Sequence, residues 1–187
     1  MKVLHASAIT FISSMYALKL VSVAEHKSQS PSSVPCFVLT VSDTRTLETE
    51  TSGRTIAELL EAAGHIVAGR AVVRDEPAQV QDRVRAEVAR GKARAIITTG
   101  GTGIAKRDTT YEAVVSMFQK RLDGFGELFR MLSFEEIGSA AMLSRATAGV
   151  IGDRVVFLLP GSEAAVRLAM TRLILPELGH IAAQLSK

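Results

Sequence analysis

Thr98-Thr99-Gly100-Gly101-Thr102-Gly103 is a run made only of Thr and Gly, and Lys106-Arg107-Asp108 follows it closely. Glycines let the backbone come close to a ligand, with amide N–H groups free to face anionic oxygen. The apolar Ala95-Ile96-Ile97 precedes the run and a helix start follows it, the order of elements in a phosphate site. It is not a Walker A motif, because no Gly-Lys-Ser/Thr closes it. Nor is it the dinucleotide fingerprint, since Lys106 stands where the third glycine would be. The same spacing also suits a plain strand-to-helix turn.

Three more polar loops carry candidate groups: Ser42-Asp43 with Arg45, Asp75-Glu76, and Pro160-Gly161-Ser162. With Glu50 and Asp108 they supply carboxylates and hydroxyls, next to the cations Arg45, Lys106 and Arg107. No Ser/His or Cys/His pair is suggested, so covalent acyl transfer has little support. Glycines, hydroxyls and carboxylates suit a magnesium-bound phosphate ester, since Mg²⁺ takes one or two carboxylates plus substrate oxygens. Plainer roles stay open. Asp108 can favour a helix dipole, Asp75 can be an N-cap, Lys106 and Arg107 can be solvated, and Ser162 caps a helix in any reading.

The elements that must position these groups follow from hydrophobic pattern. Cys36 to Val41 is a continuous apolar run of strand length, as expected of a strand covered on both faces. Ser52 is a candidate cap for a helix from Gly53 to Ala63, closed by Gly64. A second strand spans His65 to Val73. Pro77 suits a first helical turn, and Val80, Val84 and Val88 recur at four-residue spacing before Gly91. A third strand, Ala95 to Thr98, delivers the Gly-rich loop. Thr109-Thr110-Tyr111-Glu112 and Ser133-x-x-Glu136 both match capping boxes. Thr147 to Leu159 reads as two strands around Gly152-Asp153. Ser162 then caps a helix to about Ile174, and Pro176 starts a last one.

Strand–helix alternation with unbroken apolar strands implies an α/β fold: three α/β/α layers with a mainly parallel central sheet. Parallel strands end on one edge, where ligands of open α/β sheets bind. All four polar loops follow strands, so they are expected to face one crevice.

Composition narrows the function. The 187 residues fit one domain with a sizeable core. A net charge of +3, from 22 basic and 19 acidic residues, is too balanced for a nucleic-acid surface. Aromatic residues at 5%, with no Trp, argue against a base-stacking platform. The lone Cys36 excludes an internal disulfide and a Cys-cluster zinc site, and the four histidines lack metal-ligand spacing. Residues 1–34 read as a poorly ordered extension: Val3 to Val23 is too broken for a membrane span, and Lys27 to Pro35 is a Ser/Pro/Gln linker. The domain is expected over 35–187, in the cytoplasm, without nucleic-acid or membrane partners.

Val41-Ser42-Asp43-Thr44-Arg45, Ser52-Gly53, Ala63-Gly64-His65, the Thr98 to Gly103 loop with Arg107-Asp108, Gly124 to Arg130, Leu143-Ser144-Arg145 and Leu159-Pro160-Gly161-Ser162 together carry a resemblance. They resemble the MoaB/MogA molybdenum cofactor biosynthesis family, from about residue 36 to the C-terminus. Glu135 to Gly149 is closer to the MoaB branch. The resemblance implies binding of molybdopterin, a pterin with a dithiolene and a terminal phosphate. It further implies transfer of AMP from ATP onto that phosphate with Mg²⁺, pyrophosphate leaving. Asp108 and Glu50 would then be the catalytic and metal-holding carboxylates. Ser42, Asp43, Asp75, Glu76, Thr98, Thr99, Gly100, Gly101, Thr102, Gly103, Gly161 and Ser162 would line the pocket.

The family usually has Asp near the position of Glu50, and misplacing a carboxylate by about 1 Å costs roughly 10²-fold in rate. That departure and the MoaB-like middle of the chain keep open an alternative, a non-catalytic molybdopterin binder or carrier of the same pathway. Phe118, Phe125, Phe129 and Phe134 cluster within a short stretch. They suit either core packing or the subunit interface of the trimers or hexamers the family forms, and the pathway's other proteins are further possible partners.

Overall fold

In the computed structural model, which describes residues 30–187, six strands form one sheet in the order β2-β1-β3-β6-β5-β4. They are β1 (Pro35–Val41), β2 (Ile66–Val73), β3 (Ala95–Thr99), β4 (Lys120–Arg121), β5 (Thr147–Ile151) and β6 (Arg154–Leu159). β2, β1, β3 and β6 run parallel, whereas β5 pairs antiparallel with both β6 and β4. The parallel strands β1, β3 and β6 are buried along nearly their whole length, as unbroken apolar runs require when both faces are covered. β2 differs, because it is the edge: Ile66 is 56% exposed. The hairpin at Gly152 turns with φ +61, a conformation that glycine adopts without a Cβ penalty.

Helices cover both faces and give three layers. On one side α1 (Ser52–Ala62), α4 (Asp123–Ile137), α5 (Glu163–Ala169) and α6 (Leu175–Gln184) enclose Ile56, Leu60, Phe129, Val166 and Leu178 against the sheet. On the other, α2 (Pro77–Arg90) and α3 (Thr110–Val115) pack Val80, Val84 and Val114 over Phe37, Leu39 and Ile96. Each buried aliphatic side chain of this kind stabilises by about 1.5–3 kcal/mol. No helix among the described residues is long and apolar enough to cross a membrane.

Several local expectations are overridden by packing. Ser133 does not open a helix: α4 runs through it, since Phe129 and Leu132 continue one buried stripe and leave Ser133 inside. Thr109 occupies the N-cap of α3 without a capping bond, its hydroxyl being drawn to Asp75 instead. Pro176 sits in the first turn of the last helix, α6, as expected, but no loop separates that helix from α5. The chain stays helical from Glu163 to Gln184 through a π turn at Met170–Ile174, placed where the proline ring would otherwise meet the carbonyl one turn earlier.

Described residues just before β1 also pack onto the domain. Val34 is buried, and its amide donates to His65 Nδ1 at 3.2 Å. The Pro31 carbonyl lies where only a glycine, Gly179, leaves room for it. The extension expected over 1–34 otherwise falls outside the described residues.

Candidate functional site

The sheet order sets the site. From β1 the chain moves to one side, to β2, and then returns past β1 to β3, with α1 and α2 on opposite faces. The C-terminal ends of β1 and β3 therefore flank a crevice at the point where the strand order reverses. Ser42 follows β1 there and Gly100 follows β3. Gly100 takes φ +99, and a Cβ on it would strike the Val41 carbonyl, so only glycine lets the two strand ends come this close. The third loop joins through three bonds: Gly100 N–H to Leu159 O at 3.1 Å, Thr99 Oγ1 to Pro160 O at 2.9 Å, and Ser52 Oγ to Gly161 O at 2.7 Å. The fourth joins through Asp75, whose amide donates to Asp43 Oδ1 at 3.3 Å.

The Gly-rich loop leaves donors unused. Among the described residues the amides of residues 101 to 104 have no acceptor. Ser162 keeps its capping duty, accepting from Ala165 N at 3.3 Å, and stays exposed beside Gly161. A cavity of about 390 Å³ lies between this loop and α4. Gly100 to Gly103, Asp108, Gly161 and Ser162 form its polar side, and Phe129, Ile137, Leu143 and Pro160 its apolar side. A second cavity of about 230 Å³ opens between Ser42, Glu50, Ser52, Thr99 and Gly161.

The carboxylates divide by environment. Asp108 is half-buried; Oδ2 accepts from Ala105 N at 2.9 Å, and Oδ1 accepts from no described residue. Asp75 is not an N-cap. It is buried, and Oδ1 takes Thr109 N at 3.3 Å and the hydroxyls of Thr109 and Thr110 at 3.0 Å. Glu76 holds the N-cap position of α2 and is exposed, with no capping bond. Asp43 pairs with Arg107 Nε at 2.6 Å, and this guanidinium holds its carboxyl below the usual range.

Two expected groups are placed otherwise. Glu50, expected to hold a metal, is only 2% exposed and has both oxygens engaged. Oε1 pairs with Arg70, while Oε2 accepts from Thr40 Oγ1 at 3.2 Å, Gly53 N at 2.6 Å and Arg54 N at 3.3 Å. It caps α1 in place of Ser52, since an acidic side chain before a helix meets its unpaired amides. Thr98 is also lost to the crevice: its hydroxyl is buried and donates to Phe157 O at 3.0 Å.

Residues 37–180 match the family model described as "Probable molybdopterin binding domain". The chain is 54% identical over 167 residues to "Molybdenum cofactor biosynthesis protein B" of Bacillus anthracis, covering 89% of this chain and 99% of that protein. The chain belongs to the MoaB/MogA molybdenum cofactor biosynthesis family. A solved structure, "Crystal structure of Molybdenum cofactor biosynthesis protein B", aligns with TM-score 0.82 at 53% identity over 84% of this chain and 99% of that one. The tungsten cofactor synthesizing protein MoaB from Pyrococcus furiosus aligns with TM-score 0.75 at 38% identity, over 84% and 100%.

Against this MoaB/MogA background, sequence reasoning missed one residue of the site. Arg145 reaches 43 and 42 residues back and donates to the carbonyls of Thr102, at 2.9 Å, and Gly103. It also pairs with Glu112, whose carboxyl is held below its ordinary value: burial is the largest single influence and pushes it up, and the Arg145 hydrogen bond, a backbone hydrogen bond and the Arg145 charge together outweigh that. Its signal in the sequence was the Leu143-Ser144-Arg145 motif, which carried the family likeness without a role.

Proposed function

We propose that the chain acts in molybdenum cofactor biosynthesis by binding molybdopterin in this crevice and transferring AMP from ATP to its terminal phosphate. The observation that carries the reading is the row of four unpaired amides beside the free oxygen of Asp108. Such amides are preorganised to neutralise phosphate charge, which is most of what a protein supplies in phosphoryl-type transfer. The pterin ring lies against the apolar side of the cavity of about 390 Å³, and the phosphates lie along the loop.

In the step itself, an oxygen of the terminal phosphate attacks the α-phosphorus of ATP. The bond from that phosphorus to the bridging oxygen breaks, and pyrophosphate leaves with the electron pair. A phosphate monoester has a second pKa of about 6, so the attacking oxygen is already anionic at neutral pH. No general base is needed, in keeping with a crevice lined by no histidine among the described residues.

The free oxygen of Asp108 fits a magnesium ion carried chiefly by nucleotide oxygens. When bound, the ion neutralises charge on the phosphates. Asp108 holds that position, Ser162 donates to the ligand, and the ion pair of Asp43 with Arg107 closes the rim. Glu50 supports the site from behind by fixing the start of α1. The second reading, a non-catalytic molybdopterin carrier of the same pathway, drew on Glu50 and on the MoaB-like stretch Glu135 to Gly149. Glu50, buried in the packing, no longer speaks for it, and the MoaB likeness still does.

The reading includes self-association through the outer face of α4 and the following turn, where Leu128, Met131, Phe134, Ile137 and Met142 are exposed. Light scattering of the purified chain tests this. For the activity, incubating the folded chain with molybdopterin, ATP and Mg²⁺ is expected to release pyrophosphate. Release independent of molybdopterin would refute it.

A further inference from the structure

We infer that Arg145, which lines the cavity, is a positioning residue: it spends its donors on protein oxygens and so aims the loop amides at the phosphate. This deepens the adenylyltransferase reading and rests on it. The guanidinium lies over the Tyr111 ring, 4.7 Å from its centroid, and its donors are turned onto protein oxygens. Nε reaches Thr102 O at 2.9 Å, while Nη2 takes Gly103 O and lies 3.3 Å from Asp108 O. Nη1 is occupied by Glu112.

Geometry turns this clamp into a functional device. A trans peptide points its N–H away from its C=O. Holding the carbonyls of Thr102 and Gly103 therefore fixes the amides of Gly103 and Ile104 to face away from the guanidinium. Neither amide has an acceptor among the described residues, so they are the donors the clamp makes available. The Asp108 carbonyl hangs from the same group, which ties the free carboxylate to the amide row. A glycine-rich segment left alone samples many conformations. One planar fork with several fixed donors removes that freedom, and a lysine, with a single point of attachment, does not.

The test uses the full chain, its loop amides followed by ¹⁵N NMR, and inorganic pyrophosphate with Mg²⁺ as the probe. In the unliganded Arg145→Lys variant, the resonances of residues 101–104 are expected to move or broaden, while those of β1 and β6 stay. Pyrophosphate affinity is expected to fall about 10- to 100-fold, the scale of misplacement by about 1 Å. An unliganded loop spectrum identical to wild type overturns the inference, because a residue acting only by direct contact leaves the empty loop unchanged.

Should Arg145→Lys not fold, Tyr111→Leu keeps the guanidinium but removes its shelf. It is expected to weaken binding about three- to tenfold, with the same loop shifts, and unchanged binding again overturns the inference. Wild-type loop amides that ignore pyrophosphate would refute the adenylyltransferase reading instead. The unliganded spectra would still decide the role of Arg145.

Discussion

Gly101 makes room for Asp75: a Cβ at residue 101 would lie 2.5 Å from Asp75 Oδ2 and would also strike the Thr110 hydroxyl. The glycine has φ +65, so its backbone and the buried carboxylate fit each other only without a side chain. Asp75 thus joins the end of β2 to the start of α3 beneath the loop.

Gly101→Ala is expected to lower stability by about 2–4 kcal/mol. About 1–2 kcal/mol comes from the left-handed conformation and the rest from disturbing buried hydrogen bonds. Urea denaturation checks this through the midpoint at unchanged slope.

Asp108→Asn separates function from folding. The amide oxygen still accepts from Ala105 N, so stability is expected to stay within about 0.5 kcal/mol of wild type. Pyrophosphate release is expected to fall about 10²- to 10³-fold, as when one preorganised charge-stabilising group is removed. A large stability loss would make Asp108 a structural carboxylate.

Glu50 is expected to behave in the opposite way. Glu50→Gln leaves Arg70 without its counter-charge, and Arg70 Nε is already buried without a partner. A loss of about 3 kcal/mol is expected, toward the low end for breaking a buried pair because Arg70 is partly exposed. Glu50→Asp is too short to reach both Arg70 and Gly53 N, so it is expected to destabilise rather than to raise turnover. Chemical denaturation of the two variants, run beside their activity, checks this.

How much of this was legible in the sequence depended on how local each cause was. Strands β1, β3 and β6 and the loop Thr98 to Gly103 announce themselves through unbroken apolar runs and glycines. Their convergence follows from parallel topology. Side-chain direction within a strand covered on both faces leaves no alternation to read, which is why Thr98 looked like a ligand residue and is a buried donor to Phe157. Ser133 showed a start signal that the buried stripe of α4 overruled. Arg145 and Glu50 act through partners 42 and 20 residues away, and no spacing rule marks those pairs.

His65 gives the fold a pH dependence. Burial holds its pKa below the ordinary value of about 6.5, and its unprotonated Nδ1 accepts from Val34 N. The unfolded chain therefore binds more protons than the folded one in the window just below pH 6.5. Stability is expected to fall as pH drops through that window and to level off below the folded-state pKa. His65→Gln is expected to flatten that part of the profile. Melting temperatures of both proteins between pH 7.5 and 5 check it, and identical slopes would assign the dependence elsewhere.

The most direct measurement follows phosphorus by ³¹P NMR while wild-type chain is incubated with molybdopterin, ATP and Mg²⁺. The account predicts that the monoester signal of the pterin gives way to a diphosphate linkage as one equivalent of pyrophosphate forms, and that Asp108→Asn stops both. A correctly folded wild-type chain that leaves the monoester signal intact while ATP remains whole would contradict it.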